Sequence, residues 1–300
     1  MEQHLPTDLH VVTRPRRRWG KRLSPYLLVF PGGMWLLVFF LVPLAFMASI
    51  SLQTGNIFEG FRLTWRLANF TDVIQRYHVQ LLRSLEYGLI ATVVTLVLAY
   101  PLAYWIAFRG GKNKTTFLFL LLLPFLVSFV IRTLVWQFIL SDQGIVLGTL
   151  KNWHVLPESF HVLATPFAVV SGIAYNFLPF MALPLYVALE KIDRSVVEAA
   201  RDLYSSNLQV FARVILPLSM PGVFAGVLLT FVPAVGDYVN ASILGGTRTT
   251  MIGNIIQLEF LQNFHYPVAA ALSFLLMAAL LIGIFLYAKI LGSRSIEEYV

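Results

Sequence analysis

Three ionisable residues interrupt long apolar stretches of the chain: Glu86, Arg132 and Asp237. If those stretches lie in lipid, each charge costs about 2.5–3.5 kcal/mol near the bilayer centre. Such a charge persists only beside a partner or in a water-filled cavity. One reading makes Asp237 and Glu86 carboxylates of a cavity wall. The other makes Arg132 a structural or gating charge that neutralises one of them. The residue types leave both open. Polar and aromatic neighbours accompany the charges: Tyr238 and Asn240 beside Asp237, Trp136 one helical turn after Arg132, and Tyr175 in the next apolar run.

Covalent chemistry is poorly provided for. There is no nucleophile elbow, no zinc-protease helix and no pair of catalytic carboxylates. The chain has no cysteine, which excludes disulfides, thiolate metal sites and cysteine nucleophiles. Arg109-Gly-Gly-Lys112 faintly resembles a phosphate-binding loop, but Ile106 stands where the first glycine belongs and Asn113 where Ser or Thr belongs. The chain is therefore not expected to bind ATP. Its six histidines (His4, His10, His78, His154, His161, His265) fall in the N-terminal tail or in loops. None has a ligand-like partner at helical spacing, so no metal site is expected.

The elements that must position these residues are membrane helices. Apolar residues make up 58 % of the 300 residues and charged residues 12 %, against about 45–50 % and about 25 % in soluble domains. Mean hydropathy is +0.74. A water-soluble enzyme is excluded. Six stretches are long enough to cross a bilayer: about 26–50, 85–108, 116–140, 163–189, 222–244 and 267–291. Prolines and glycines inside them (Pro43, Pro101, Pro124, Gly172, Pro179, Pro184, Pro233, Gly236) suggest kinks in a bundle that lines a cavity.

The net charge of +7 is distributed as a topology signal rather than as a nucleic-acid surface. One side collects Arg14, Arg16, Arg17, Arg18, Lys21, Arg22, Arg109, Lys112, Lys114, Lys191, Arg194, Arg201, Arg213, Lys289 and Arg294. The other carries only Arg62, Arg66, Arg76, Arg83, Lys151 and Arg248. Positive residues favour the cytoplasmic side, so both termini are expected there. Residues 1–24 read as a basic tail with affinity for anionic lipid. The first apolar run is too long for a secretory signal core and reads as a retained helix.

Between the fourth and fifth spans the sequence runs DRSVVEAARDLYSSNLQVFARVILPLSMPG. Ser195-Val-Val-Glu198 has the form of a capping box, and Val196, Ala200 and Leu203 then share one helical face. Ser205-Ser206-Asn207 offers a turn and a second cap. Val210, Phe211, Val214, Ile215 and Leu218 follow at amphipathic spacing, and Pro221-Gly222 is expected to close that helix and open the next span. The loop thus reads as two short helices lying against the membrane. Beyond the next span, Ile252, Ile255, Ile256 and Phe260 predict another short helix on the outer side, with Asn254 and Glu259 near the mouth of the bundle.

Glu198-Ala199-Ala200, Asp202-Leu203, Leu216-Pro217-Leu218 and Pro221-Gly222 resemble the "EAA" signature of ABC-importer permease subunits. The stretches Tyr175–Tyr186, Pro233–Tyr238, Leu244–Gly246, Met251–Asn254 and Ile131–Gly144 look like the spermidine/putrescine permeases of the type I class, first-permease type. The likeness covers about residues 25–291. It implies an all-α six-helix permease bundle with a coupling helix in the cytoplasm, in a bacterial inner membrane. Residues 25–292 would form the permease domain, with the coupling loop at 191–221 and tails at 1–24 and 293–300. Glu198, Ala199, Ala200, Asp202, Leu203, Tyr204 and Ser205 would dock on a separate ATPase.

The resemblance further implies a second homologous permease, two copies of the ATPase carrying ATP and magnesium, an extracytoplasmic polyamine-binding protein, and no nucleic acid or cofactor on this chain. A polyamine path wants carboxylates and aromatic faces; Asp237, Glu86, Tyr238, Trp136, Tyr175 and Asn240 fit, with Arg132 as gate or structural charge. Two positions depart from the pattern. Tyr204 stands where the family has glycine, and a left-handed tyrosine costs about 1–2 kcal/mol. Ser242 stands where many polyamine relatives have an acid. Another cargo within the class, such as iron(III) or an opine, is the nearest alternative. An ion-gradient-driven transporter, with inverted repeats and broken helices, is a more distant one, and a passive membrane scaffold more distant again.

Overall fold

The computed structural model describes residues 29–203 and 206–296, with side chains to residue 289. The expected 1–24 tail, together with Tyr204 and Ser205 of the coupling loop, lies outside the described residues. The first crossing is helix α1, Val29–Ser51. Within it Leu37–Leu41 widens to a π-turn, in which the Val42 amide donates to the Leu37 carbonyl. That turn holds the carbonyl four residues before Pro43, where the proline ring would otherwise collide with a regular helix.

A feature absent from the all-α expectation follows. Strands β1 (Gln53–Asn56) and β2 (Gly60–Leu63) pair antiparallel, Asn56 opposite Gly60. The Asn56 carboxamide oxygen accepts from the amides of Phe58 and Glu59 at 2.9 Å, closing the turn. Gly55 and Gly60 supply the positive φ values (128° and 80°).

Helix α2 spans Ala68–Arg109, 42 residues. It begins well ahead of the expected residue 85 because its polar first third is held by tertiary packing. Val73 and Tyr77 bury against Ile252, Ile255, Ala271 and Leu272, contacts that a search for continuous apolar runs does not register. The third crossing is bent. Helix α3 (Lys114–Leu122) passes through a 3₁₀ turn at Leu123–Leu126 and an extended Val127 into α4 (Phe129–Leu140). Pro124, with no amide hydrogen to donate, sits in that turn. A short helix α5 (Ile145–Asn152) follows.

Helix α6, Pro166–Glu190, starts on Thr165, whose hydroxyl accepts from the Ala168 amide. It is the central crossing: 67 % of its most apolar stretch is buried, packed on α2 and on α8, Asn207–Val235. Pro179 and Pro184 lie inside α6 without breaking it. Between them runs α7, Arg194–Leu203.

Pro221-Gly222 does not divide α8, contrary to the sequence expectation. The helix is continuous through Pro217 and Pro221, with a π-turn at Phe211–Ile215 just ahead of Pro217, the same accommodation as in α1. Gly222 serves packing instead: a Cβ there would lie 2.5 Å from the Ala188 methyl and 2.7 Å from the Pro184 carbonyl. Backbones of α6 and α8 approach closely only because that atom is missing.

The fifth crossing then breaks at Gly236-Asp237 and resumes as α9, Tyr238–Leu244. Helix α10 (Ile252–Gln257), the short helix its periodicity predicted, runs into a π-turn at Leu258–Gln262. Helix α11 (Tyr266–Ile296) is the last crossing and continues four residues past the expected boundary at 292.

Candidate functional site

Two regions carry the predicted functional residues, one at each end of the bundle. At the end bearing α7, the helix is capped by Asp193 rather than by Ser195. The Asp193 carboxylate accepts from the Ser195 amide at 2.9 Å, so α7 starts earlier than the capping-box reading placed it. That hydrogen bond holds the Asp193 carboxyl below its usual range. The buried face also differs from expectation. Val197 and Ala200 are buried, whereas Val196 is exposed and Leu203 is 79 % exposed. One helical position separates the two readings.

Val197 and Ala200 join one apolar cluster with Ala103 and Ala107 of α2, Leu185 and Leu189 of α6, and Val210 and Ile215 of α8. Helix α7 thus contributes two small residues to an apolar cluster shared with three crossings. Ser206 provides the second cap, its hydroxyl accepting from the Gln209 amide at 3.2 Å, as anticipated. Phe211 packs edge-on to Tyr100 at 5.5 Å, and Tyr100 shares a 2.7 Å hydrogen bond with Ser219. Lys114 bridges to both oxygens of Glu190 at 2.7 Å, tying α3 to the end of α6. Glu198, Ala199, Asp202 and Leu203 all remain exposed on the other face of α7.

In the opposite half, Asp237 is buried and fully engaged. One oxygen accepts from the amides of Val239 and Asn240, capping α9, and the other accepts from the Asn240 side chain. The Asn240 oxygen in turn accepts from Thr133 of α4 at 3.3 Å and Asn176 of α6 at 3.1 Å. Asn176 also donates to Thr133 at 3.0 Å. A buried polar network therefore staples three crossings, with the Asn176 side-chain oxygen left without a hydrogen-bond partner. Thr133 and Asn176 were missed in the sequence because neither is charged, although their polarity inside apolar runs was visible.

Trp136 stacks on Tyr175 at 5.2 Å with rings nearly parallel. Arg132 is 8 % exposed and lies over Phe125 at 4.2 Å. Its Nε and Nη1, like the Trp136 indole nitrogen, have no hydrogen-bond partner. Among the described residues it forms no ion pair with Asp237 or Glu86, so the pairing considered above is not made. Tyr238 is partly exposed, and its carbonyl accepts from Asn254.

Glu86 stands apart from this network, on a groove between α2 and α6. Glu259, expected near an opening, is 3 % exposed instead. It accepts from the Tyr77 hydroxyl at 2.6 Å and pairs with His265 at 2.7 Å. Burial pushes its carboxyl up, but hydrogen bonds from Tyr77, His265 and Asn263 outweigh that and hold it below its usual value. His265 and His161, read as plain loop residues, both contact carboxylates; His161 meets Asp142 at 2.6 Å.

The chain is mostly helical, with six helices long and apolar enough to cross a membrane and a short amphipathic helix packed at one end. Residues 89–294 match the family described as binding-protein-dependent transport system inner membrane component, and the chain belongs to that family. It is a multi-pass inner-membrane permease subunit of the ABC-transporter class. Among relatives, it is 38 % identical to the spermidine/putrescine transport system permease protein PotB of Haemophilus influenzae, over 88 % of this chain and 93 % of that one. It is 36 % identical to PotB of Escherichia coli K12, over 89 % and 96 %. The fold matches a chain of a bacterial alginate ABC transporter solved with its pentasaccharide-bound periplasmic protein. There the TM-score is 0.67 at 19 % identity, covering 91 % of this chain and 96 % of that one.

Proposed function

We propose that this chain is a permease subunit of an ATP-driven importer of polyamines such as spermidine and putrescine, pairing with a second permease of similar fold. The similarity to PotB proteins over nearly nine tenths of the chain carries this reading. In it, the α7 end faces the cytoplasm, in line with the basic residues gathered there, and both termini lie on that side. The exposed face of α7, with Glu198, Ala199, Asp202 and Leu203, docks on one of two ATPase copies. Tyr204 and Ser205 complete the docking segment. This chain itself holds no nucleotide or cofactor; ATP and magnesium belong to the ATPase.

The embedding of Val197 and Ala200 in the core explains how docking becomes motion. Closure of the ATPases moves α7, and Val197 and Ala200 pass that movement to the cluster shared with α2, α6 and α8. A rigid-body shift between inward- and outward-open states follows. Polyamine delivered by an extracytoplasmic binding protein passes the opposite half, where Tyr238, Trp136, Tyr175 and Glu86 present aromatic and acidic groups. Asp237 and Asn240 hold the break in the fifth crossing beside that path.

A second cargo class is favoured by one observation. The unpartnered N–H groups of Arg132 and Trp136 would suit an anion or a metal complex. One experiment separates the two: ATPase stimulation of the complex reconstituted in proteoliposomes, with a panel of solutes and the binding protein. Polyamines are expected to stimulate; stimulation only by an anionic or iron-bearing solute would overturn the polyamine reading.

A further inference from the structure

The groove between α2 and α6 has a volume of about 400 Å³ and is lined by Arg83, Glu86, Tyr87, Ile90, Val94, Phe167, Val170 and Ser171 among others. Its polar lining is Arg83, Glu86 and Ser171. Glu86 is exposed and makes no ion pair among the described residues. Arg83, one turn earlier on the same helix, lines the same groove but donates from Nη1 to the Thr250 carbonyl at 2.9 Å rather than to Glu86. Glu86 is therefore left without an ion partner on the groove.

From Glu86 the wall continues along one face of α2 through Ile90 and Val94, at spacings of about 6 Å per four residues. Phe167 and Val170 of α6 and Tyr87 of α2 complete the lining. A carboxylate, two aromatic rings and an aliphatic trough in one groove complement an ammonium head with a methylene chain. A bare metal ion would leave the trough empty, and an anion would be repelled by Glu86.

We propose that this groove is a binding subsite for one terminal ammonium of the cargo, seated on Glu86, with the adjoining methylene segment lying along Ile90, Val94 and Val170. The proposal rests on the polyamine reading above and deepens it. It assigns the first acidic contact to Glu86 and not to Asp237, whose two oxygens are already committed to α9 and Asn240.

The test uses the full complex with its second permease and ATPase in lipid nanodiscs and proteoliposomes. ATP-driven uptake of radiolabelled putrescine and spermidine by the wild-type complex checks the underlying reading; no uptake of either sinks that reading whatever the groove does. With uptake established, equilibrium binding of the same amines is measured without the binding protein. Glu86→Gln is expected to weaken binding about tenfold, the loss of one charge-assisted contact, and Glu86→Asp to recover most of it. Val94→Phe, which narrows the trough and keeps the charge, is expected to weaken spermidine more than putrescine. Wild-type binding and uptake in both Glu86→Gln and Val94→Phe would overturn the subsite, leaving the groove to lipid. Failure of Glu86→Gln to assemble with the second permease, with amine binding by Val94→Phe unaltered, would make the groove a subunit seat and overturn it equally.

Discussion

The two ends of this bundle solve opposite problems. At the α7 end, a charged amphipathic helix is embedded by two small apolar residues, Val197 and Ala200, and keeps its acidic face free. In the opposite half, Asp237, Asn240, Asn176 and Thr133 are turned inward and mostly bonded to one another, while Arg132 and Trp136 nearby keep unpartnered N–H groups. The contrast follows from where water is available. A charge at a water-facing end costs nothing to leave open, so it is free to recognise a partner. A polar group at membrane depth must be satisfied within the protein. The first region is built for contact and the second for rigidity.

That contrast breaks most sharply at Glu198. Glu198→Lys reverses a charge on the exposed face of α7 and touches no core atom. ATP-driven uptake is expected to fall more than tenfold, while the protein still reaches the membrane in normal amount; uptake at the wild-type rate would remove α7 as the coupling element. Gly222→Val acts next, through the join of α6 and α8. The added carbons meet Ala188 and the Pro184 carbonyl, and overpacking of this kind costs about 1–3 kcal/mol. A lower melting temperature and reduced yield are expected, and unchanged stability would show that the two backbones have room to part.

Asp237→Ala sharpens the comparison in the opposite half. Loss of the α9 cap is expected to cost about 1 kcal/mol, read as a lower melting temperature of the purified complex. A large loss of amine affinity with no change in stability would return Asp237 to the cargo path. The smallest effect is at Glu259. Its carboxyl is held below the usual value, so its stabilising contribution is complete above pH 4.5, that ordinary value. It is lost as pH falls through the lowered one. Melting temperature is expected to drop as acid is added below pH 4.5, and Glu259→Gln should flatten that dependence.

Much of this was legible in the chain itself. Six membrane helices, the amphipathic stretches between the fourth and fifth apolar runs, and the short helix at Ile252 all exist as expected, although their bounds shift, because each is signalled by neighbouring residues. Errors came where a neighbour outvoted the local signal. Pro221-Gly222 reads as a helix break, yet α8 passes through it because a π-turn makes room for Pro217 upstream and α6 occupies the space a Cβ would take at Gly222. The first third of α2 is too polar to read as membrane helix and is held by residues of α10 and α11. Asp193 displaced Ser195 as the cap of α7, two residues earlier, and Val197 is buried in place of Val196.

The candidate site divides in the same way. Glu198 and its neighbours were found by motif, since a docking helix keeps its residues contiguous. Asp237 and Glu86 were found as anomalous charges, but their roles separated only in three dimensions. Nothing near Asp237 in the chain says that Thr133 and Asn176, more than sixty residues away, help to close its network. Nor does the spacing of Arg83 and Glu86 reveal that Thr250 diverts the arginine.

Hydropathy, being a sum over neighbouring residues, settled by itself that this chain crosses a membrane repeatedly. Which polar groups are spent inside and which stay open was decided by packing, because satisfaction of a buried group depends on helices distant in sequence. Should α7 prove to touch no motor subunit in the assembled transporter, the distinction drawn between the two ends would lose its functional meaning.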